Sequence, residues 1–322
     1  MFEQGAVTGD EPGEFQYWVE RTPLPTKHEF PAGLFPLYSN AQGVLGICVG
    51  GGIANATASI MALGFDPRFD LTNAYFLVAG IAGGDPHDTS LGSAVWANHV
   101  VDGDLIYQID AREIPAEWPY GIIPLGGTEP ADEPQDISTG WSLNTIHFKL
   151  NTQLTDWAYS LTRNIKLTDT PEMAAFRARY VTNPVAQQPP AVMRGDTLSA
   201  STYWHGAKLN DWANDWLKLY AGADANFVTS NMEDSGTLTA LGRLGALGKI
   251  QPERTLVLRT VSNYTTPPPD LPASASATLE YPNKGEPALF AAFEAGSVVV
   301  DELVTHWTTF ETQLPEPNDD YE

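Results

Sequence analysis

Three apolar runs rich in β-branched residues lie far apart along the chain and predict buried strands of one sheet. They are residues 44–49, 75–81 and 255–261, and residues 225–229 form a weaker fourth run. Near-continuous apolar runs of this length are typical of parallel strands that are covered on both faces. Each run ends in small or polar residues and is followed by a helix or a loop, which is the alternation of βαβ units.

Stretches with helical spacing of apolar residues separate these runs. The predicted helices are residues 53–63, 143–161, 210–219, 233–247 and 287–310. Pro287 stands near the first turn of the last helix, where a missing N–H costs nothing. Residues 93–101 and 104–109 predict two further strands that could run antiparallel.

Two proline-rich segments, residues 184–190 and 267–272, are interpreted as loops because strand-like or helical patterns resume after each of them. The pattern therefore predicts a single α/β domain over residues 1–322, with an acidic tail at residues 311–322. The expected architecture is three-layer, with a mixed central β-sheet flanked by helices.

Composition narrows the classes of partner. The 322 residues include 40 acidic and 17 basic side chains, a net charge of −23, which argues against binding nucleic acid or an anionic membrane surface. No run of 18 apolar residues occurs, so membrane insertion is not expected. A single cysteine, Cys48, excludes an intrachain disulfide and is expected to be a buried, inert thiol. The first ten residues do not resemble a signal peptide, and the compartment stays open.

Glycines gather where two predicted strands end. GGGIANATAS, residues 50–59, follows the first run, and FLVAGIAGGDP, residues 76–86, ends the second in Gly80, Gly83 and Gly84. Ligands of open α/β sheets bind where strand-to-helix turns expose backbone N–H groups. Close packing of helix on strand would explain the same glycines, so the pattern alone leaves both readings open.

Charged residues occur at the end of one further predicted strand and inside another. NFVTSNMEDSG, residues 226–236, places Met232 and Glu233 at a strand-to-helix junction, and LVLRTVSNYT, residues 256–265, places Arg259 inside an apolar strand. A buried arginine requires an anionic partner. That partner could be purely structural or part of a site.

These stretches together resemble the nucleoside phosphorylase and nucleosidase superfamily, and within it the purine nucleoside permease family. The motifs that carry the resemblance are PAGLFPLYSN, GGGIANATASIMAL, FDLTNAYFLVAGIAGGDP, LGSAVWANHVVDGDL, QIDAREIP, RGDTLSASTYWHG, SNMEDSG and LRTVSNYTTPP. They occur in order along nearly the whole chain. The resemblance implies a nucleoside phosphorylase-like fold and a site for a purine nucleoside or purine base.

The resemblance also implies roles at the sugar and the base. Glu233 matches a carboxylate that binds the ribose hydroxyls, and Met232 matches a methionine that packs against the ribose. Asn263 stands where many superfamily members carry an aspartic acid that protonates the purine N7. An amide cannot transfer that proton, but it can hydrogen-bond to N7 or to a 6-oxo group.

RGDTLSASTYWHG, residues 194–206, matches the segment that covers the purine in relatives. The resemblance therefore makes Asp196, Leu198, Tyr203 and Trp204 candidates to line the base. His205 could be a proton shuttle, although a histidine between an aromatic residue and a glycine is more often structural.

The attacking group is water or phosphate. Phosphorylases of the superfamily grip phosphate with an arginine and a serine near the second glycine-rich turn, where this chain has Val78 and Ile81. Gly83 and Gly84 would bring N–H groups near the sugar or its attacking oxygen. A desolvated phosphate without a cation is costly, and Arg259 matches an arginine that helps to hold water in hydrolytic relatives, so hydrolysis is favoured.

Water needs a base, which nucleosidases take from a glutamate just after their first strand. MFEQ resembles that motif and makes Glu3 the candidate, with Glu14 as the second. The strand that should precede Met1 is not found, so we expect either a truncated first strand or a sheet that lacks it.

The resulting hypothesis is purine nucleoside binding with hydrolysis of the N-glycosidic bond, without cofactor or metal, by a homo-oligomer. Two alternatives stay open. A phosphorylase would use phosphate as co-substrate, and a non-catalytic nucleoside-binding protein would contribute to transport.

Overall fold

The computed structural model describes residue 3 and residues 5–131 and 144–317. The strands in these ranges are β1 (Thr26–His28), β2 (Leu37–Ser39), β3 (Leu45–Gly46), β4 (Phe76–Gly84), β5 (Ala94–Trp96), β6 (His99–Asp102), β7 (Ile106–Gln108), β8 (Ile122–Pro124), β9 (His147–Lys149), β10 (Val192–Arg194), β11 (Asp196–Ser199), β12 (Phe227–Asn231) and β13 (Thr255–Tyr264). The helices are α1 (Gln16–Arg21), α2 (Ile53–Gly64), α3 (Thr152–Thr162), α4 (Pro171–Arg177), α5 (Ala207–Ala221), α6 (Asp234–Ala246), α7 (Ala273–Ser276), α8 (Glu286–Thr305) and α9 (Trp307–Phe310).

The described part of the chain has a main sheet of eight strands in the order β10-β5-β13-β4-β12-β11-β6-β9. β13 runs parallel to β4 and antiparallel to β5, so the sheet is mixed. Two small sheets accompany it, β1-β2-β3 and β7-β8.

Helices cover both faces of the main sheet. Leu256 and Leu258 of β13 lie in one core cluster with Ala291 of α8, while Val257 lies in a second cluster with Leu241 of α6. Successive residues of a strand point to opposite faces, so the two clusters are the two sides of the sheet. The predicted three-layer α/β architecture is confirmed.

The centre of the sheet brings strand ends together. In the parallel pair β4 and β13, Arg259 is opposite Gly80 and Asn263 is opposite Gly83. β12 runs antiparallel to β4 and overlaps only its last residues, with Ser230 opposite Gly83. The prediction of a parallel strand at residues 225–229 is therefore confirmed for its pairing with β11 and wrong for its pairing with β4. Because the overlap is so short, both strands still end at the same place.

Residues 44–49 are the largest departure from the predicted elements. Only Leu45–Gly46 form a strand, and that strand pairs antiparallel with β2 outside the main sheet. Cys48 and Val49 are nonetheless buried, one in each of the two core clusters. The prediction of a buried parallel strand is wrong because the apolar run reflects side-chain packing and not a place in the main sheet.

The segment 93–101 forms two strands instead of one. The strand is interrupted at Ala97, whose N–H donates to the Val257 carbonyl at 3.0 Å. As a result β5 pairs with β13, while β6 pairs with β11. Of the segment 104–109, the strand β7 belongs to the separate β7-β8 sheet, where it is antiparallel as expected.

The predicted helices at 53–63, 210–219 and 233–247 are confirmed as α2, α5 and α6. The predicted helix 287–310 is interrupted at His306, between α8 and α9. The predicted helix 143–161 is wrong in its first half, because β9 lies there and residue 143 is outside the described residues. Asn151 starts α3 by accepting the N–H of Gln153 at 3.2 Å. Among the helices in the described ranges, none combines the length and the apolar character needed to cross a bilayer.

Candidate functional site

A buried arginine contacts two carboxylates at the junction of β12 and α6. Arg259 is 1% exposed, and its Nε donates to both carboxylate oxygens of Asp234 at 3.1 Å, while Nη2 contacts Asp234 as well. Nη2 also lies 3.4 Å from Glu233 Oε2, and Nη1 donates to the Ile81 carbonyl at 3.2 Å. The anionic partner expected for this arginine is therefore a pair of adjacent acids at the start of α6.

Glu14 belongs to the same cluster. Its Oε1 accepts the N–H of Ile81 at 2.6 Å. A Cβ added at Gly80 would lie 2.5 Å from that oxygen and 2.6 Å from Arg259 Nη1. Glycine at position 80 is therefore what lets Glu14 and Arg259 approach the strand. We call Glu14, Glu233, Asp234 and Arg259 the buried charge cluster.

Glu3, the other candidate base, has different partners. Its Oε2 accepts the N–H groups of Phe15 at 3.2 Å and Gln16 at 2.9 Å, at the start of α1. These bonds satisfy donors that a helix start leaves open. Of the two glutamates that the sequence left open as the base, Glu14 is the one near Arg259.

Burial governs the acid–base chemistry of the cluster. Desolvation raises the pKa of Glu14 above its ordinary value, with Arg259 opposing the shift and Glu233 adding to it. Desolvation likewise raises the pKa of Asp234, against the attraction of Arg259. Burial disfavours the charge of Arg259, but Asp234 and Glu233 outweigh it and raise the pKa of Arg259. Arg259 therefore stays charged, while burial favours the neutral forms of Glu14 and Asp234 more than it would at the surface.

The glycine triplet contributes a backbone donor to this cluster. Gly52, at φ 88°, donates its N–H to Glu233 Oε1 at 3.3 Å. The next N–H, of Ile53, donates to Ser201 Oγ at 3.2 Å. A Cβ at Gly236 of α6 would lie 2.3 Å from the Ile53 carbonyl oxygen. Close packing therefore accounts for Gly236, where α6 meets the start of α2, while Gly52, the residue before α2, directs its N–H to the Glu233 carboxylate. A ligand contact of the glycine triplet stays a prediction.

An open cleft of about 280 Å³ lies at the level of Gly83, and we call it the strand-end cleft. It is lined by Gly83, Thr202, Tyr203, Trp204, Ser230, Asn231, Met232, Asn263 and Thr265. Among the described residues that line it there is no lysine or arginine.

Asn263 reaches the strand-end cleft with its amide fully engaged as a donor. Its Nδ2 donates to Tyr203 Oη at 3.0 Å and to the Tyr264 carbonyl at 3.2 Å. Its Oδ1 accepts the hydroxyl of Ser262 at 3.0 Å and keeps a second lone pair.

The two glycines that end β4 face different surroundings. A Cβ at Gly83 would lie 3.4 Å from Asn263 Nδ2, whereas a Cβ at Gly84 would lie 2.6 Å from side-chain atoms of Thr89 and Val261. Gly83 therefore borders the cleft, and Gly84 is a close-packing position.

The segment 202–206 borders the strand-end cleft. Tyr203 is 46% exposed, and Trp204 packs edge-on against Trp212 with ring centroids 5.7 Å apart. Within the described part of the chain, the indole N–H of Trp204 has no hydrogen-bond partner. Burial lowers the pKa of His205, which favours the neutral ring.

Asp196 and Leu198 lie away from the cleft. Asp196 starts β11 and accepts the N–H groups of His99 and Asn226, both at 2.9 Å. Leu198 is fully buried in a core cluster with Trp212. The structure therefore gives these two residues packing and strand-linking contacts instead of a place on the cleft wall.

The cluster and the cleft are neighbours along β4. Arg259 is level with Gly80 and Asn263 with Gly83, a separation of about 10 Å at the usual strand rise. Met232 lines the cleft, and the next residue, Glu233, turns its carboxylate toward Gly52 and Arg259. Glu233 itself is 6% exposed and lies beside the cleft, not on its wall.

Sequence reasoning missed Asp234 as a member of the site. Its signal was available, because a buried arginine needs an acid and Asp234 is fully buried at the first position of α6. Thr265 and Asn231 were also missed. Both line the strand-end cleft because of the register of β12 and β13, which the sequence does not reveal.

The mixed sheet, its flanking helices and the convergent strand ends define the nucleoside phosphorylase/nucleosidase fold. The 5′-methylthioadenosine/S-adenosylhomocysteine nucleosidase of Neisseria meningitidis has a TM-score of 0.51 at 15% identity, covering 89% of this chain and 94% of that chain. Futalosine hydrolase of Helicobacter pylori has a TM-score of 0.51 at 14% identity, covering 92% and 96%. At such identities the likeness concerns the fold.

The family follows from the sequence comparisons. The family model described as purine nucleoside permease (NUP) matches residues 1–315, and the chain belongs to that family. A purine nucleoside permease of Candida albicans is 32% identical over 288 residues, covering 85% of this chain and 68% of the relative. A probable purine nucleoside permease of Schizosaccharomyces pombe is 29% identical over 274 residues, covering 83% and 77%. The resemblance found from the sequence motifs is confirmed.

Proposed function

We propose that this chain binds purine nucleosides and hydrolyses their N-glycosidic bond to free base and ribose. The ligand class is supported by the names of its relatives, purine nucleoside permeases, and by structural neighbours named as nucleosidases and a futalosine hydrolase. The observation that carries the chemistry is the placement of Glu14, Glu233 and Arg259 in one buried cluster beside a cleft that contains Asn263.

The sugar end of the proposed site is Glu233. Its carboxylate is fixed by the N–H of Gly52 and by Arg259, so it loses little rotamer freedom when it accepts ribose hydroxyls. A fixed anion also stabilises the positive charge that develops on the ribose ring as the bond breaks. Met232, on the cleft side, would pack against the sugar.

The base of the reaction is Glu14. In the proposed step, a water oxygen attacks C1′ while a water proton passes to the Glu14 carboxylate and the C1′–N9 electron pair leaves with the purine. Burial raises the pKa of Glu14, which makes its carboxylate a stronger base than an exposed one. Arg259 contacts Asp234 and Glu233 and acts as a positioning residue for the carboxylates.

The leaving purine meets Asn263. Its two amide N–H groups are bonded to the Tyr203 hydroxyl and the Tyr264 carbonyl, so the purine would displace one of these bonds before N7 or a 6-oxo group accepts a hydrogen bond. An amide gives up no proton, so the departing base takes its proton from solvent. This arrangement suits inosine and guanosine at least as well as adenosine.

Water is favoured over phosphate as the nucleophile. The described residues that line the cleft include no lysine or arginine, and Arg259 is already engaged by two carboxylates. The buried charge cluster is acidic, so a phosphate dianion would meet repulsion as well as desolvation.

Product analysis tests this proposal. Purified protein is incubated with inosine, guanosine or adenosine, with and without phosphate, and the products are separated by chromatography. We expect free ribose and base without phosphate, and loss of turnover in Glu233→Gln but not in Glu253→Gln, a change of an exposed glutamate. Ribose 1-phosphate formed only with phosphate would establish a phosphorylase and contradict hydrolysis.

The family's name favours one other candidate, a nucleoside-binding protein that contributes to transport. Tight nucleoside binding without any product would support it. In that case Glu233→Gln should weaken affinity, since no turnover exists to be lost.

A further inference from the structure

The two adjacent acids at the start of α6 share Arg259 unequally. Nε of Arg259 donates to both carboxylate oxygens of Asp234 at 3.1 Å, and Nη2 contacts the same carboxylate. The distance from Nη2 to Glu233 Oε2 is longer, 3.4 Å. Asp234 therefore takes most of the hydrogen bonds of the guanidinium, although Glu233 lies within its reach.

A second acid is not needed merely to neutralise this arginine. A buried guanidinium needs an anionic partner, and Glu233 alone could be that partner. A carboxylate that forms a close, forked pair with a guanidinium spends its oxygens on that pair and has fewer lone pairs for a ligand. Because Asp234 is the close partner, Glu233 keeps two long contacts, with Nη2 and with the Gly52 N–H at 3.3 Å.

The turn between β12 and α6 fixes this division of roles. Asn231 Oδ1 accepts the N–H of Glu233 at 3.1 Å and the N–H of Asp234 at 3.0 Å. The side chain of Asn231 is itself anchored, because its Nδ2 donates to Thr197 Oγ1 on β11 at 2.8 Å. Asp234 is 0% exposed and Glu233 is 6% exposed, so the deeper acid is the one that binds the guanidinium.

We propose that Asp234 is a positioning residue for sugar binding, which holds Arg259 as its close partner so that the Glu233 oxygens can accept ribose hydroxyl groups. The inference rests on the proposed nucleoside site and adds to it a residue that does not touch the ligand. If the charge of Asp234 is lost, the guanidinium should move toward Glu233, 3.4 Å away. Binding of the sugar should then weaken while binding of the free base does not.

Replacing Asp234 with asparagine tests this role. Asp234→Asn keeps the size of the side chain and one acceptor oxygen, but it removes the charge. Calorimetry measures the affinities for inosine and for hypoxanthine, which has no ribose. We expect inosine to bind about ten-fold more weakly, the usual worth of a hydrogen bond to a charged group, and hypoxanthine to bind as in the wild type.

A matched control comes from another buried arginine. Arg177 is 3% exposed and donates to the two carboxylate oxygens of Asp169 at 2.7 and 2.8 Å. Asp169→Asn therefore also breaks a forked ion pair, but it does so just before α4, among residues that do not line the strand-end cleft. We expect it to lower the melting temperature and to leave the affinities for both ligands unchanged.

A second measurement does not depend on whether Asp234→Asn folds. The wild-type protein is crystallised with a C-nucleoside analogue of inosine, which has no N-glycosidic bond to hydrolyse. We expect Arg259 to stay bonded to Asp234 and ribose hydroxyl oxygens to lie within about 3.2 Å of the Glu233 carboxylate. Arg259 bonded to Glu233 or to the ribose in place of Asp234 would refute the positioning role.

The outcomes separate this role from the proposed function. If the wild type binds neither inosine nor hypoxanthine, the proposed function fails and the role of Asp234 fails with it. If the wild type binds inosine and folded Asp234→Asn binds it equally well, the function stands and the role is refuted. Equal weakening of inosine and hypoxanthine would show that Asp234 only supports the fold, and it would refute the role as well.

Discussion

Replacing Arg259 with methionine is the most informative single perturbation of the buried charge cluster. The guanidinium is 1% exposed and contacts Asp234, which is fully buried, and Glu233, which is 6% exposed. Methionine approximates the length of the side chain but removes the charge and every hydrogen bond. The carboxyl groups would then lie in the interior without the guanidinium that now contacts them.

The size of the effect follows from the geometry. Removing one member of a buried, hydrogen-bonded ion pair typically costs about 3–5 kcal/mol, because the remaining charge stays desolvated. We expect Arg259→Met to lower the free energy of unfolding by an amount in this range at neutral pH. Part of it can be recovered when Asp234→Leu is added, because the two changes remove the charges together.

The loss should also depend on pH. Without Arg259, the pKa values of the Glu14 and Asp234 carboxyl groups rise further above their unfolded values. A carboxyl with a raised folded pKa contributes stability that is present below the unfolded pKa and is lost as the pH rises through the folded one. The deficit of Arg259→Met should therefore be smaller at about pH 5 than at about pH 8.

Urea denaturation at both pH values measures this, with Arg254→Met as the matched control. Arg254 is 3% exposed, but it donates to the backbone carbonyls of Phe310 and Glu311 at 2.7 and 2.9 Å, which are neutral acceptors. Its loss should be costly without a comparable pH dependence. A deficit below about 1 kcal/mol for Arg259→Met, or one that is equal at both pH values, would refute the description of the cluster.

Two further predictions concern the same region. Glu14→Gln can still accept the N–H of Ile81, and it should abolish turnover. It should be more stable than the wild type at about pH 8 but not near pH 4, because only the wild type loses stability as the pH rises through the raised pKa of Glu14. If the variant and the wild type were equally stable at both pH values, the raised pKa would be contradicted. Gly236→Ala should cost about 1–3 kcal/mol in thermal unfolding because its methyl group would meet the Ile53 carbonyl oxygen. Gly242→Ala, in open space on the same helix, should stabilise by about 0.5–1 kcal/mol, and similar effects of the two changes would contradict the close approach of α2 and α6.

The apolar runs that predict β4 and β13 are confirmed as strands, because such runs arise from burial on both faces of a sheet. The runs around β4 and β13 are apolar throughout, and both are central strands of the main sheet. The junction after β12 was also predictable, since acidic residues at a helix start suit its dipole. Arg259 could be assigned an anionic partner from its strand alone.

Other features depend on contacts that no local pattern encodes. Residues 44–49 have the apolar content of a core strand, yet Cys48 and Val49 are buried by side-chain packing and lie outside any strand. Glu3 and Glu14 look alike in sequence, and only the fold brings Glu14 to Ile81. The placement of Asp196 at the far end of β11 likewise follows from strand register, so its resemblance-based role at the base stays a prediction without a cleft contact to support it.

The central claim is that one purine nucleoside spans from Glu233 to Asn263. A crystal structure of the Glu14→Gln protein with inosine tests it most directly, because that variant should bind without turnover. The account predicts ribose hydroxyl oxygens within about 3.2 Å of the Glu233 carboxylate and a purine edge hydrogen-bonded to the Asn263 amide. Inosine bound elsewhere, or bound with its sugar away from Glu233, would contradict it.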